Sequence, residues 1–453
     1  MFENTMFFSF IIFAITILFI IWRPRGINEA VPTAVGAMLI FLAGIVPVSD
    51  VFEIVEIISG ASITILSTIV MSIVLESIGF FRWAATNIIK RANGSGKRLF
   101  FYVSLLCFLM TMFFNNDGSI LITTPIIIQI VTMVKLKMHQ KIPFLLTGAL
   151  VATGASAPIG VSNLANLIAL KIVGLDLNLY AAMMFIPSMI GIIAMVALLY
   201  FYFAKDIPQK IPLPLPAHND DGILRPLNRQ HPLADPVNAF QIDWSLFRTC
   251  MIIVVLIRAS FFALAPFNIP VELPAIIGAV LLIVIRWNRT GVGPRDVFWK
   301  TPWHILIFAF SMYVVVYGLK NSGLTAQLVD VLRDPIQESP FNAIFIMGLL
   351  LTIMSNLCNN LPSVMIGTLT LLQMNLDPNT LKIGYLATII GSDIGALITP
   401  MGTLASLIWM YILRKNGIKM TWGHYLRVSF MVIPITLIIT LLSLFLWNKW
   451  LFF

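Results

Sequence analysis

Residues 114–119 read FNNDGS, and residues 358–363, which lie 244 positions further along, read CNNLPS. Both stretches place a pair of asparagines inside long apolar sequence. About 40 residues after each pair comes a second polar stretch with glycine and proline, GASAPIG at 154–160 and GSDIGALITPMG at 391–402. Polar, broken backbone at membrane depth is tolerated only where it is buried in protein or lines a wet cavity. Matching breaks in two halves of one chain indicate the substrate site of a transporter.

The composition is that of an integral membrane protein. Of the 453 residues, 59% are hydrophobic and only 11% are charged, and apolar runs of about 17–25 residues recur along the chain. The first run has no basic segment before it, which favours a retained span over a cleaved signal peptide. The net charge of +9 is explained by lysines and arginines in loops beside the membrane, so nucleic acid is not expected as a partner.

The predicted elements have the same order in two halves, residues 1–204 and 247–453. Each half contains three spans, an amphipathic segment, a hairpin, a broken span and an intact span. Residues 205–246 between them are rich in proline, which is typical of a linker rather than of a folded domain. We therefore expect an all-α integral membrane protein built from two repeats and a cytoplasmic linker.

The hairpins decide the topology of each repeat. They are predicted at 99–133 and 341–373, and the broken spans at 143–174 and 383–413. A re-entrant hairpin does not cross the membrane, so each half crosses five times. Because five is odd, the second half is expected upside down relative to the first, as an inverted repeat. Counting each hairpin as two spans gives 14 crossings, and this alternative stays open.

The distribution of positive charge orients the chain. On the predicted topology, one side of the membrane carries most of the lysines and arginines. The other side carries only five, namely Lys171, Lys320, Arg333, Lys382 and Lys449. The side rich in positive charge is therefore expected to be cytoplasmic, with both termini external. The same bias arises if each hairpin is counted as two spans, so it does not decide whether the hairpins are re-entrant.

Few ionisable residues fall inside the apolar runs, among them Asp117, Arg258 and Asp393. An ionisable residue within the membrane is a functional candidate because its burial is costly. Asp117 and Asp393 each lie beside a helix break, so they could cap a half-helix or carry a proton, since burial disfavours the charged carboxylate. Arg258 could pair with a carboxylate or a lipid headgroup.

Uncharged polar residues cluster at the same four places. Amides and hydroxyls can donate and accept hydrogen bonds, so they suit an uncharged polar solute, although some must satisfy the backbone freed at each break. The second breaks add further polar residues, including Ser156, Ser162, Asn163, Asn166 and Ser406. The predicted substrate-binding residues are Asn115, Asn116, Ser119, Asn359, Asn360, Ser363, Thr399 and Thr403.

The stretch GSDIGALITPMGTLASLIW at 391–409 resembles a signature of the arsenite/antimonite efflux permeases, a family of the ion transporter superfamily. FNNDG at 114–118 and NNLP at 359–362 also match that family, as does Trp422-Gly423 near the C-terminus. The family's Pro-Lys is Ala396-Leu397 here, so any role of that lysine is missing.

This resemblance implies proton-driven export of trivalent arsenic and antimony from a bacterial cytoplasm. Asp117 and Asp393, as buried carboxylates, are the predicted proton-coupling residues. Trivalent arsenic in neutral water is the uncharged trihydroxide, which neutral hydrogen bonds can hold. Cys358 is a weak candidate for contact with the metalloid, since a small residue packed in a helix is the simpler interpretation. Partners would be arsenite or antimonite, protons, the lipid bilayer and, in some members, a cytoplasmic arsenite-stimulated ATPase subunit. No cofactor, resident metal or enzymatic activity is implied.

Other functions remain possible at this point. A sodium/proton antiporter of the same superfamily would use the same broken helices and both aspartates, but would need no oxyacid site. An intramembrane aspartyl protease would need Asp117 and Asp393 to face each other, and it leaves the duplicated asparagine pairs unexplained. A passive channel would not require the buried carboxylates.

Overall fold

A computed structural model describes residues 2–24, 27–212 and 243–452. These residues form nineteen α-helices and no β-strand. The all-α fold is therefore confirmed. Most of the predicted linker, 205–246, lies outside the described residues, so the prediction that it separates two repeats stays a prediction.

The first half contains nine of the helices. Their bounds are α1 (Phe2–Trp22), α2 (Ala30–Leu42), α3 (Val48–Ser77), α4 (Phe80–Ala92), α5 (Gly96–Phe113), α6 (Asn116–Met133), α7 (Met138–Gly154), α8 (Leu164–Val173) and α9 (Leu177–Tyr202).

The second half contains the other ten. Their bounds are α10 (Trp244–Leu264), α11 (Glu272–Thr290), α12 (Arg295–Lys300), α13 (His304–Asn321), α14 (Leu324–Glu338), α15 (Pro340–Cys358), α16 (Asn360–Gln373), α17 (Pro378–Asp393), α18 (Leu404–Lys415) and α19 (Trp422–Leu451).

Within the described residues, ten helical segments are long and apolar enough to cross a membrane. They include α5 and α15, the first arms of the two hairpins. Helix length therefore does not separate a re-entrant arm from a span, and the inverted orientation of the halves stays a prediction.

The two halves pack in a reciprocal way. Helix α2 lies against α13 while α11 lies against α3, and α6 lies against α18 while α16 lies against α8. The intact helices α9 and α19 contact each other. Such exchanged contacts are expected of two repeats related by a pseudo-two-fold axis, and they bring each hairpin beside the broken helix of the other half.

The equivalent turns before the amphipathic helices have the same backbone. Gly79 precedes α4 with a φ of 86°, and Gly323 precedes α14 with a φ of 93°. A residue with a Cβ would be strained in this left-handed conformation. The two glycines are 244 positions apart, the same offset as between the asparagine pairs.

Candidate functional site

The first helix break, residues 155–163, separates α7 from α8. It contains one short 3₁₀ turn, Gly160–Ser162. Asn163 then caps α8, since its Oδ1 accepts a hydrogen bond from the Ala165 N–H at 3.0 Å. This cap satisfies one of the free N–H groups at a helix start, so α8 can begin at membrane depth.

The second helix break, residues 394–403, separates α17 from α18. It contains the 3₁₀ turn Gly395–Ile398, and Thr403 caps α18 by accepting from the Ser406 N–H at 3.1 Å. A Cβ on Gly402 would lie 1.9 Å from the Ala396 carbonyl oxygen. Only glycine therefore fits at this point of the break.

A tyrosine in the first turn of each intact helix fixes the break of its own half. Tyr180 Oη donates to the Ala157 carbonyl at 2.6 Å, and Tyr425 Oη donates to the Leu397 carbonyl at 3.1 Å. Both carbonyls lie outside the α-helices, Ala157 in a turn and Leu397 in the 3₁₀ turn of the second break. The two breaks are thus stabilised by equivalent contacts.

Asp393 joins the two halves. This fully buried residue ends α17, and its carboxylate accepts three hydrogen bonds from the first half. The donors are Ser156 Oγ at 2.7 Å, Asn163 Nδ2 at 2.8 Å and Asn166 Nδ2 at 2.6 Å. Three neutral donors compensate for much of the lost hydration of a buried carboxylate.

Asp117 has a different environment. It is half-buried in the first turn of α6, and its N–H donates to Asn116 Oδ1 at 2.8 Å. Within the described part of the chain, its carboxylate accepts no hydrogen bond.

The two asparagines of the first pair have different hydrogen bonds: Asn115 stabilises the fold, and Asn116 has N–H groups that can bind a solute. Asn115 caps α6, since its Oδ1 accepts from the Gly118 N–H at 2.6 Å, and its Nδ2 donates to Thr68 Oγ1 at 3.3 Å. The buried Asn116 accepts only from Asp117. Its amide N–H groups have no partner among the described residues and can donate to a solute.

The second pair divides in the same way. Asn359 has a φ of 75°, and its Nδ2 donates to the Met401 carbonyl in the second break at 3.2 Å. Its Oδ1 is buried and has no partner among the residues described here. Asn360 is 6% exposed, and no hydrogen bond of its side chain is found in the residues that the structure describes.

The four predicted substrate-binding residues with hydroxyl groups differ in their hydrogen-bond partners. Ser363 donates to the Asn359 carbonyl at 2.7 Å, and Thr403 donates to Ser406 Oγ at 2.9 Å besides capping α18. Thr399 Oγ1 lies 3.5 Å from the Asn356 carbonyl. Ser119 Oγ is buried with no partner among the described residues, so it is the one of the four that is free to bind a solute.

The sequence did not predict that Asp393 is held by the other half. Ser156, Asn163 and Asn166 were recognised as polar residues of the first break, but not as partners of Asp393. The available signal was register, because Ser156 occupies in GASAPIG the position of Asp393 in GSDIG. Ser162 Oγ and Asn166 Oδ1, at the first break, are also buried without a partner in the described part of the chain.

Cys358 lies half-buried at the end of α15, directly before Asn359. Contact of its thiol with a metalloid stays a prediction.

Comparison with known proteins gives a consistent result. The family model described as arsenical pump membrane protein matches residues 8–448. A putative arsenical pump membrane protein of Bacillus subtilis (strain 168) is 48% identical over 444 residues, covering 97% of this chain and 99% of the relative. An arsenical pump membrane protein of Escherichia coli is 34% identical over 433 residues, covering 96% and 97%. These matches confirm the resemblance found in the sequence.

Proposed function

Since the chain belongs to the arsenical pump membrane protein family, we propose that it exports arsenite and antimonite from the cytoplasm in exchange for protons. It is a multi-pass transporter of the bacterial inner membrane. The finer proposal is alternating access, in which a central site faces one side of the membrane and then the other.

The observation that carries this proposal is the link from Asp393 to three side chains of the other half. A charged residue held between two repeats is affected by any movement of one repeat against the other. A change in its protonation state would alter the strength of all three hydrogen bonds. Proton binding and conformation are then coupled at one residue.

The available polar groups suit the proposed substrate. Arsenic trihydroxide is uncharged and offers hydroxyl donors and acceptors. Among the described residues, the Asn116 amide N–H groups and the Asn360 side-chain amide have no partner. Asn359 Oδ1 and Ser119 Oγ are buried and unpartnered there. Leaving such groups unpaired costs about 1–3 kcal/mol each. Hydrogen bonds to an uncharged oxyacid would recover part of that cost.

The two carboxylates are assigned different parts in coupling. Asp117 is only half-buried and accepts no hydrogen bond within the described residues, so it is the accessible group for proton entry. Asp393 is enclosed and accepts three hydrogen bonds, so it senses how the halves are arranged. Substrate and proton then compete at one central site.

Everted membrane vesicles test this function. In vesicles with an acidic lumen, from a host without its own arsenical pump, we expect arsenite to accumulate inside and to dissipate the proton gradient. An uncoupler should stop accumulation, and sodium should not replace arsenite. Dissipation by sodium with no arsenite uptake would support the sodium/proton antiporter instead.

The cytoplasmic ATPase subunit is a separate proposal. Export driven by protons alone would continue in everted vesicles when the medium, which faces their cytoplasmic side, contains no ATP. If arsenite accumulation required ATP and a co-purifying subunit, the proton gradient would not be the energy source.

A further inference from the structure

Arg258 is a buried cation with an unusual set of partners. It lies on α10 and is 7% exposed. Its Nε donates to the Phe113 carbonyl and its Nη2 to the Phe114 carbonyl. Among the described residues it forms no ion pair with a carboxylate. Of the two partners considered from the sequence, a carboxylate or a lipid headgroup, the carboxylate is not found in this part of the chain, and two main-chain carbonyls bind the guanidinium.

These two carbonyls lie at the end of α5, the first arm of hairpin 1, which consists of α5 and α6; hairpin 2 consists of α15 and α16. Phe113 is the last residue of α5, and Phe114 leaves the helix with φ −123° and ψ −99°. Carbonyls at a helix C-terminus lack helical partners, and a positive charge there is favoured by the helix dipole. The guanidinium thus provides hydrogen bonds to the free carbonyls at the end of α5, where little water is expected within the membrane.

The position of these carbonyls determines where the second arm of the hairpin starts. Asn115 comes directly after Phe114 in extended conformation, with φ −162° and ψ 169°, and it caps α6. The chain therefore reverses within two residues, Phe114 and Asn115. The tip is also tied to α3 by the 3.3 Å bond from Asn115 to Thr68. Because its two bonds carry a charge, Arg258 is the stronger restraint on where Asn116 lies.

The tip of hairpin 2 has no such restraint from the described part of α1, the helix equivalent to α10. In the described residues it is tied to the second break of its own half. Asn356 donates to the Gly395 carbonyl at 2.9 Å, and Asn359 donates to the Met401 carbonyl. A cation is therefore not needed to close a hairpin of this kind.

We infer that Arg258 is a positioning residue for the substrate site, which acts by holding the tip of hairpin 1 and thereby placing Asn116. The inference rests on the proposed function. A cavity of about 250 Å³ borders Arg258 and is lined in part by Phe113, Ile159 and Val161. A smaller or differently shaped side chain therefore fits at position 258 without overpacking.

The test is the KM and maximal rate of arsenite uptake for Arg258→Gln and Arg258→Lys, with membrane abundance measured in parallel. Glutamine reaches one carbonyl at most and has no charge, so we expect its KM to rise on the order of tenfold. Lysine keeps the charge but lacks the planar fork, so its KM should rise less. The maximal rate per molecule should change little in either variant.

Arg286→Gln is the matched control. Arg286 is also a buried arginine, on the neighbouring α11, and it binds Asp296 and the Gly293 carbonyl rather than a hairpin. Its loss should lower abundance and leave the KM unchanged. The inference would be overturned by an unchanged KM in either Arg258 variant that is present in the membrane at normal abundance. An equal rise of KM in Arg286→Gln would also overturn it. Absence of arsenite transport by the unaltered protein would instead refute the proposed function.

Discussion

The two helix breaks share their architecture and differ in their charge. Each precedes a capped helix, with Asn163 as the cap in the first break and Thr403 in the second. Each has a carbonyl bound by a tyrosine of the next intact helix. The two breaks differ at one equivalent position, which is Ser156 in the first and Asp393 immediately before the second. The first break therefore has no carboxylate of its own, and Ser156 and Asn163 in it donate to the carboxylate of the second half.

The hairpin tips also differ in charge at equivalent positions. Asp117 comes after the first asparagine pair, whereas Leu361 comes after the second, and α16 begins there without a carboxylate. Each aspartate thus has an uncharged counterpart in a similar backbone. Caps and tyrosines occur in both halves, whereas each carboxylate occurs in one half only, as expected if the two aspartates serve the proposed proton coupling.

The comparison assumes that the two halves are inverted, and accessibility of introduced cysteines tests this most sharply. A cysteine within 136–140, after hairpin 1, should be labelled by an impermeant reagent only from the cytoplasm. One within 376–380, after hairpin 2, should be labelled only from outside. Because labelling is all or none, this effect is the largest. Labelling of both from one side would exclude the inverted repeat.

Replacing Asp393 with Asn makes the second break as neutral as the first. We expect gradient-driven arsenite accumulation to fall to the background of vesicles without the protein, because the titrating group at the junction is lost. Ser392→Ala is the control, since Ser392 donates within α17 to the Ile389 carbonyl. Accumulation by Asp393→Asn at the normal rate would show that this carboxylate is dispensable for coupling.

Asp117→Asn tests the corresponding asymmetry of the hairpins. We expect this variant to lose proton-driven accumulation and to retain downhill arsenite exchange, because the side chain forms no hydrogen bond that holds the described structure together. Accumulation and exchange should be measured on the same vesicles. If both are lost while abundance is normal, Asp117 contributes to substrate binding rather than to proton transfer.

The asparagine pairs predict a smaller, graded effect. Alanine at Asn116 or Asn360 should raise the KM for arsenite on the order of tenfold, since each removes amide groups that are unpartnered among the described residues. Alanine at Asn115 or Asn359 should also weaken arsenite resistance and, in addition, lower abundance, because both bind main chain. Unchanged arsenite resistance in all four variants would show that the asparagines only form hydrogen bonds with main-chain groups and do not bind substrate.

The tyrosines should give the smallest effect. Tyr180→Phe and Tyr425→Phe each remove one hydrogen bond to an unwound carbonyl, at a cost of about 1 kcal/mol of stability. We expect similar losses of thermal stability in detergent, with arsenite KM unchanged. A strong loss in only one variant would show that the two breaks are not stabilised alike.

Local sequence predicted most of the helices. Caps and breaks depend on residues close in the chain, so the end of α5 near Phe113 and the start of α6 near Asn116 could be placed by pattern. The glycine-rich motif likewise placed the second break at Gly395–Gly402. The all-α fold was predictable because apolar runs of this length form helices in lipid.

Contacts between distant segments were not predictable. The bonds to Asp393 come from residues at least 227 positions away in the chain, and no periodicity encodes them. The partners of Arg258, at separations of 144 and 145 residues, were missed for the same reason. A cation within the membrane indicates that a partner exists, but its identity depends on which helices pack together.

The hydrogen bonds between Asp393 and the first half can form only late in the synthesis of the protein. Ser156, Asn163 and Asn166 leave the ribosome long before Asp393, which comes 237 residues after Ser156. Until that carboxylate arrives, three polar side chains of an inserted first half lack their partner, in surroundings where unsatisfied groups are costly. Completion of the site is therefore a late step of biogenesis, and the first half alone would be a membrane-inserted intermediate without a finished centre.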